Sequence, residues 1–182
     1  MKLSNLQKRL AESDPYQPAE DTFFLADHIE NEKGKTALDI GTGSGFLAKI
    51  LSSSFDLVIG TDININSLRQ QYVPIKNRIC CNAADVFSRK FDLIICNLPY
   101  LATDDIIDIA TDGGAEGFDI PSQIIKSALP CLNKPGKFIF VTSSLSNYQK
   151  LIDMVNSKSF TAKILARKKL FFEDLILVKV TT

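Results

Sequence analysis

No run in this 182-residue chain is apolar for long enough to cross a bilayer. The N-terminus, with Lys2, Lys8, Arg9 and Glu12, also lacks the apolar core of a signal peptide, so a cytoplasmic protein is expected. Net charge is missing as well. Twenty-one basic and 21 acidic side chains cancel, which argues against a global nucleic-acid binder. The four cysteines, Cys80, Cys81, Cys96 and Cys131, form no Cys-x-x-Cys pair. They read as small buried hydrophobes in a reducing compartment rather than as a metal site or a disulfide framework. There is no internal repeat and no low-complexity segment. The single histidine, His28, shares a helical face with Phe24 and Leu25 and reads as a packed side chain. Lysine and arginine are absent from Phe91 to Ile125, where Asp92, Asp104, Asp105, Asp108, Asp112, Glu116 and Asp119 all fall.

What is present describes one domain with an ordinary core: 45% of residues are hydrophobic and 23% charged. Leu3, Leu6 and Leu10 recur at helical spacing over Lys2 to Ser13. Asp14-Pro15-Tyr16-Gln17-Pro18 is a turn or extended linker, because each proline disfavours helix in the residue before it. A second helix opens near Ala19 and ends near Gly34, and its acids Glu20 and Asp21 suit the helix dipole. Strands are then expected at Lys35 to Ile40, Asp56 to Gly60, Arg78 to Asn82, Phe91 to Cys96 and Lys137 to Thr142. Helices fall between them at Ser44 to Ser53, Asn66 to Val73 (stopped by Pro74) and Pro121 to Leu132, with another at Asn147 to Asn156. Phe160 to Ala166 and Phe171 to Val180 are too close for a helical crossover and should pair antiparallel around a solvated tip at Arg167-Lys168-Lys169. The pattern predicts an α/β fold: a mostly parallel, seven-stranded sheet with helices on both faces and an antiparallel C-terminal hairpin.

The chemistry concentrates after the fourth strand. Leu93 to Cys96 is continuously apolar, as in a strand buried on both faces, and breaks at once into Asn97-Leu98-Pro99-Tyr100. Pro99 cannot donate to a sheet ladder, so the chain leaves the sheet there, at the carboxyl end of a central strand where ligands bind in open α/β sheets. A planar nitrogen is a poor nucleophile because its lone pair is delocalised. If Asn97 Oδ1 and the carbonyl of Leu98 accept its two N–H bonds, the nitrogen can pyramidalise toward a methyl donor, with Tyr100 packing on the flat substrate group.

A second stretch, Asp39-Ile40-Gly41-Thr42-Gly43-Ser44-Gly45, follows the first strand and opens a helix. Its Gly-x-Gly-x-Gly spacing differs from the dinucleotide fingerprint and suits a zwitterionic methionine moiety, its ammonium near Asp39. Asp62, at the end of the second strand, is placed to accept both hydroxyls of an adenosine ribose, with Ile63 against the adenine face. Asp85, in Ala84-Asp85-Val86-Phe87, reads either as an acceptor for the adenine amino group or as a turn cap.

Pro18-Ala19-Glu20-Asp21-Thr22-Phe23, the glycine loop, Asn97-Leu98-Pro99-Tyr100 and Asp112-Gly113-Gly114-Ala115-Glu116-Gly117-Phe118-Asp119 occur in that order. Together they resemble the HemK-type protein-glutamine N5-methyltransferases, in particular the short archaeal and eukaryotic subgroup. The resemblance runs from Tyr16 to about Val180. It implies a class I, Rossmann-like, S-adenosylmethionine-dependent methyltransferase domain over residues 35–182, with residues 1–34 as a helical segment packing on it. It implies a class 1 release factor as substrate, methylated on the glutamine of its Gly-Gly-Gln motif. Carried over by position, Thr22, Asp39, Gly41, Gly43, Gly45, Asp62, Ile63, Asp85, Val86 and Asn97 would hold S-adenosylmethionine, and Asn97, Leu98, Pro99 and Tyr100 the glutamine amide; no metal is implied. Leu98 stands where the family usually has proline. The carbonyl survives that change, but the turn loses a φ restraint.

The acids from Asp104 to Asp119 would rim the substrate mouth, repelling phosphate and attracting a basic peptide. Arg78 to Asn82 is expected at a sheet edge, short, apolar and almost uncharged, which invites a partner strand. Short HemK-type enzymes bind a small zinc-containing activator through such a contact. The rival readings are an adenine-N6 methyltransferase acting on DNA or RNA, a non-catalytic cofactor-binding homologue and, weakest, an NAD oxidoreductase. No stable nucleic-acid or membrane contact is expected.

Overall fold

The computed structural model describes residues 16–182. The helix expected over Lys2 to Ser13 lies outside the described residues. One sheet organises the chain. Its strands are β1 (Gly34–Ile40), β2 (Phe55–Asp62), β3 (Arg78–Cys80), β4 (Phe91–Asn97), β7 (Leu132–Ser143), β8 (Thr161–Lys169) and β9 (Asp174–Thr181), in the order β3-β2-β1-β4-β7-β9-β8. Neighbours from β3 to β7 pair parallel, and β9 lies antiparallel between β7 and β8. A second, two-stranded sheet pairs β5 (Leu101–Ala102) with β6 (Asp112–Gly114).

The sheet is buried on both faces, which explains the unbroken apolar run of β4. Side chains of a strand alternate between faces. Ile94 and Cys96 join Leu38, Phe138 and Phe140 under the helices α4 (Asp119–Ala128) and α5 (Tyr148–Asn156). Leu93 and Ile95 join Ala37, Ile139 and Val141 under α1 (Glu20–Ile29) and α2 (Phe46–Leu51). Ile94, Ile95, Phe138 and Phe140 are fully buried, and each such side chain contributes about 1.5–3 kcal/mol of transfer free energy. His28 packs edge-on against Phe24 and its Nδ1 lies 2.8 Å from the Phe24 carbonyl oxygen.

Several boundaries differ from the sequence pattern for identifiable reasons. Helix α2 starts only at Phe46, because Gly45 at φ +82° still belongs to the loop. Helix α3 (Ile65–Arg69) is capped by Asn64, whose side chain accepts from Asn66 N. It stops before Gln71, whose side chain is used elsewhere: Nε2 donates to the Gly43 carbonyl and Oε1 accepts from Ile75 N. β3 is shorter than Arg78 to Asn82, since Ala83 at φ +46° turns the chain. Arg167-Lys168-Lys169 is not the hairpin tip but the end of β8. Its basic side chains fit an edge strand and find partners: Arg167 donates to the Tyr148 hydroxyl and Lys168 pairs with Glu20 at 2.6 Å. The tip is Leu170 to Glu173, with Phe171 and Phe172 exposed and stacked edge to face. Among the described residues no helix is long and apolar enough to cross a membrane, and no group of three or more His, Cys, Asp or Glu side chains is arranged to hold a metal ion.

Candidate active site

The turn after β4 is held from two sides. Leu98 N donates to the Val141 carbonyl at 3.2 Å, and the Leu98 side chain is buried in the core. Beyond Tyr100 the chain enters β5, which pairs with β6, and Leu101 N donates to Thr111 O. The Gly-Gly-x-x-Gly stretch explains itself here. A Cβ on Gly113 would stand 2.6 Å from the Pro99 carbonyl oxygen, so the backbone of this stretch braces the Asn-Leu-Pro-Tyr turn by an approach only glycine permits. Asp112, expected at a solvated rim, is instead buried. Its carboxylate accepts from the backbone N–H groups of Ile107 and Asp108, tying the covering loop to β6. Asp104, Asp105 and Asp119 are exposed.

The glycine loop is fixed by side chains from β1 and β2. Thr42 N donates to Thr61 O, and Thr42 Oγ1 donates to Asp39 Oδ2 at 2.7 Å. Asp62 accepts from Gly43 N at 3.0 Å and from Asn64 N at 2.8 Å. A cavity of about 570 Å³ spans the carboxyl ends of β2, β1 and β4. Gly41, Thr42, Gly43, Asp62 and Ile63 wall it on one side and Thr22, Cys96, Asn97 and Pro99 on the other. Ile106, Asp108, Ile109 and Ala110, together with Ile120 and Ile124 of α4, complete it.

The structure thus brings Thr22, Gly41, Gly43, Asp62, Ile63, Asn97 and Pro99 into the lining of one cavity and leaves other expected residues off it. Gly45 lies behind the loop, where a Cβ would meet the Val73 carbonyl oxygen at 2.2 Å. Asp39 is fully buried off the cavity wall, and burial pushes its carboxyl up to about 7 against the opposing hydrogen bond from Thr42. Its Oδ1 has no hydrogen-bond partner. Asp85 and Val86 are exposed outside the cavity, because the turn at Ala83 presents Asn82 and Ala83 to it instead; Asp85 accepts from Asn82 Nδ2. Tyr100 is also off the wall. Its ring packs on the core cluster of Leu93 and Ile95, and its hydroxyl reaches Asp21 at 3.5 Å.

Asp21 is the residue that the sequence pattern undervalues. Only 7% exposed, it accepts from the Tyr16 hydroxyl at 2.9 and 3.0 Å, from Thr22 N at 2.6 Å and from Thr22 Oγ1 at 3.2 Å, besides Tyr100. The one signal for it is its place inside Pro18-Ala19-Glu20-Asp21-Thr22-Phe23, since a first-turn acid otherwise looks like a dipole partner. Asn97 lies one bond further on. Its Nδ2 is 3.5 Å from Thr22 Oγ1, and its Oδ1 is buried without a partner.

The cavity fits S-adenosylmethionine in size and chemistry. Its volume is in the range of small-molecule sites, its loop backbone is open at Gly41, where an added Cβ meets nothing within 4 Å, and its polar groups sit on otherwise apolar walls. A sheet with one internal antiparallel strand and a cavity over the glycine loop define a class I S-adenosylmethionine-dependent methyltransferase fold.

Residues 19–171 match the methyltransferase small domain, and the chain belongs to that family. It is 30% identical over 176 residues to the Methanocaldococcus jannaschii protein named protein N5-glutamine methyltransferase MJ0928, covering 90% of this chain and 89% of that one. It is 28% identical to human methyltransferase HEMK2, covering 95% of this chain and 92% of that one. The structure of the Mtq2–Trm112 complex of E. cuniculi, described as responsible for methylating the termination factor eRF1, superposes with a TM-score of 0.80 at 23% identity, over 93% of this chain and 99% of that one.

Proposed function

We propose that this chain transfers the methyl group of S-adenosylmethionine to the N5 nitrogen of the glutamine in the Gly-Gly-Gln motif of a class 1 release factor. The observation that carries the reading is the buried, unpartnered Oδ1 of Asn97, at the end of β4 in the wall shared with the glycine loop. A buried acceptor left unpaired costs about 1–3 kcal/mol, a cost that a substrate amide N–H removes on binding. The M. jannaschii name supports N5-glutamine methylation, the E. cuniculi complex supports a termination factor as substrate, and the human name supports methyl transfer.

S-adenosylmethionine supplies an electrophilic methyl on sulfonium when bound. Asp62, Ile63, Asn82, Ala83 and the backbone of Gly41 to Ser44 would hold it. Asn97 Oδ1 and the Leu98 carbonyl accept the two N–H bonds of the glutamine amide and draw its lone pair out of conjugation. The methylated nitrogen then loses its proton to water, so no side-chain base is required. Fixing the amide in this geometry accounts for much of the acceleration.

Two further parts of the reading rest on the surface. β3 is the outer strand of the sheet, and Gly60 N bonds Asn77 O while Cys81 N bonds Asp62 O. By strand alternation the N–H groups of Arg78 and Cys80 face outward. We assign this edge to a small zinc-binding activator, in line with the Trm112 partner of E. cuniculi Mtq2. We further read the part of the N-terminal segment that is described, residues 16–34, as packing on the 35–182 domain, and the protein as cytoplasmic.

The test is methylation of a release factor, alone and with its activator, beside matched DNA and RNA, followed by mass spectrometry of the Gly-Gly-Gln peptide. One added methyl on that glutamine is expected; transfer to nucleic acid alone would replace this reading with the adenine-N6 one.

A further inference from the structure

Asn97 has two ways to sit in its place, related by a half-turn of the carboxamide, and only one leaves oxygen as the free group. Nothing in Asn97 itself chooses between them. The choice is made by Thr22 Oγ1, 3.5 Å from Asn97 Nδ2. A hydroxyl has one proton to give. Thr22 Oγ1 lies 3.2 Å from Asp21 Oδ1, and a carboxylate can only accept, so the Thr22 proton goes to Asp21. What Thr22 then offers Asn97 is a lone pair, which meets Nδ2 and not Oδ1.

We propose that Asp21 is the positioning residue of this site: through Thr22 Oγ1 it sets which way round the Asn97 carboxamide stands, and so keeps Oδ1 as the acceptor for the substrate amide. This rests on the function proposed above and deepens it. The same carboxylate reaches the far end of the turn, at the Tyr100 hydroxyl, and takes the Tyr16 hydroxyl as well. Burial, followed for both by the charge of Asp21, holds these two phenols well above their ordinary value, so both remain donors and leave Asp21 as acceptor. An acid serving only the dipole in the first turn of α1 would need none of these hydroxyl contacts.

The proposal is tested first in cofactor-free protein, by the side-chain amide NMR signal of Asn97, identified by its loss in Asn97→Ala. Thr22→Val, which keeps the shape and removes the hydroxyl, should shift and broaden that signal; Thr22→Ser should restore it. In turnover at saturating S-adenosylmethionine, Thr22→Val and Asp21→Ala should each lower kcat about tenfold or more, and Thr22→Ser less than about threefold. In an Asn97→Ala background Thr22→Val should add less than about twofold, since the hydroxyl acts only through Asn97. An unchanged amide signal in Thr22→Val, or losses that multiply in the double variant, would overturn the proposal. A wild-type protein that methylates no glutamine would instead overturn the function, while the NMR comparison, made also on Asp21→Ala, where the same shift is expected, still decides the role of Asp21.

Discussion

A Cβ placed on Gly117 would stand 2.2 Å from the carbonyl oxygen of Tyr100. Gly117 also holds φ at +62°, a region where other residues are strained by about 1–2 kcal/mol. Gly117→Ala must therefore displace the Asn-Leu-Pro-Tyr turn or itself. Melting should fall by an amount equivalent to about 1–3 kcal/mol, and methyl transfer should drop at least about tenfold in the fraction that remains folded.

Asn97 and Asp62 divide the work. Asn97→Ala removes an acceptor for the substrate amide, so kcat should fall by about 10²–10³ while S-adenosylmethionine affinity stays within about threefold. Asp62→Ala removes a cavity-wall carboxylate that also anchors Gly43 N, so calorimetry should show weaker cofactor binding by about tenfold or more. Equal losses of affinity in the two variants would refute the division.

Asp39 makes stability depend on pH in a predictable direction. Its carboxyl is pushed up to about 7 by burial, from an ordinary 3.8. Between those values the folded chain keeps a proton that the unfolded chain has given up, so this group's contribution falls as pH rises through the window and stays low above it. Asp39→Asn carries no such penalty. Its melting temperature relative to the wild type should rise from about pH 4 to about pH 8 in cofactor-free protein; a constant difference would show that Asp39 titrates normally.

The edge of β3 can be closed without touching its inner pairing. Cys80→Pro deletes an outward N–H and leaves the bond from Cys81 N to Asp62 O in place. Copurification with an activator subunit should be lost while the melting temperature of the isolated chain changes little.

Much of this architecture can be read from hydrophobic pattern, because strands buried on two faces leave continuous apolar runs and Pro99 marks where β4 must end. The order of the quoted motifs also points to the cavity wall at Thr22, Gly41, Asp62 and Asn97. What escapes the pattern is whatever depends on a contact distant in sequence. Asp21 and a dipole-pairing acid look alike until Tyr100, 79 residues on, reaches the same carboxylate. Asp85 has the chemistry for the cofactor, but a positive φ at Ala83 gives its place to Asn82. Arg167-Lys168-Lys169 is polar like a tip, whereas Phe171 and Phe172 are apolar like a strand; partners on α1 and α5 reverse the two.

β9 is hydrogen-bonded on both sides, to β7 and to β8, although it is made after either. While Asp174–Thr181 are still inside the ribosomal tunnel, β7 and β8 have no strand to join them and each keeps a row of unmet amides. The nascent sheet can close only when its last-made strand slides in between, so β8 reaches the sheet only through a strand made after it.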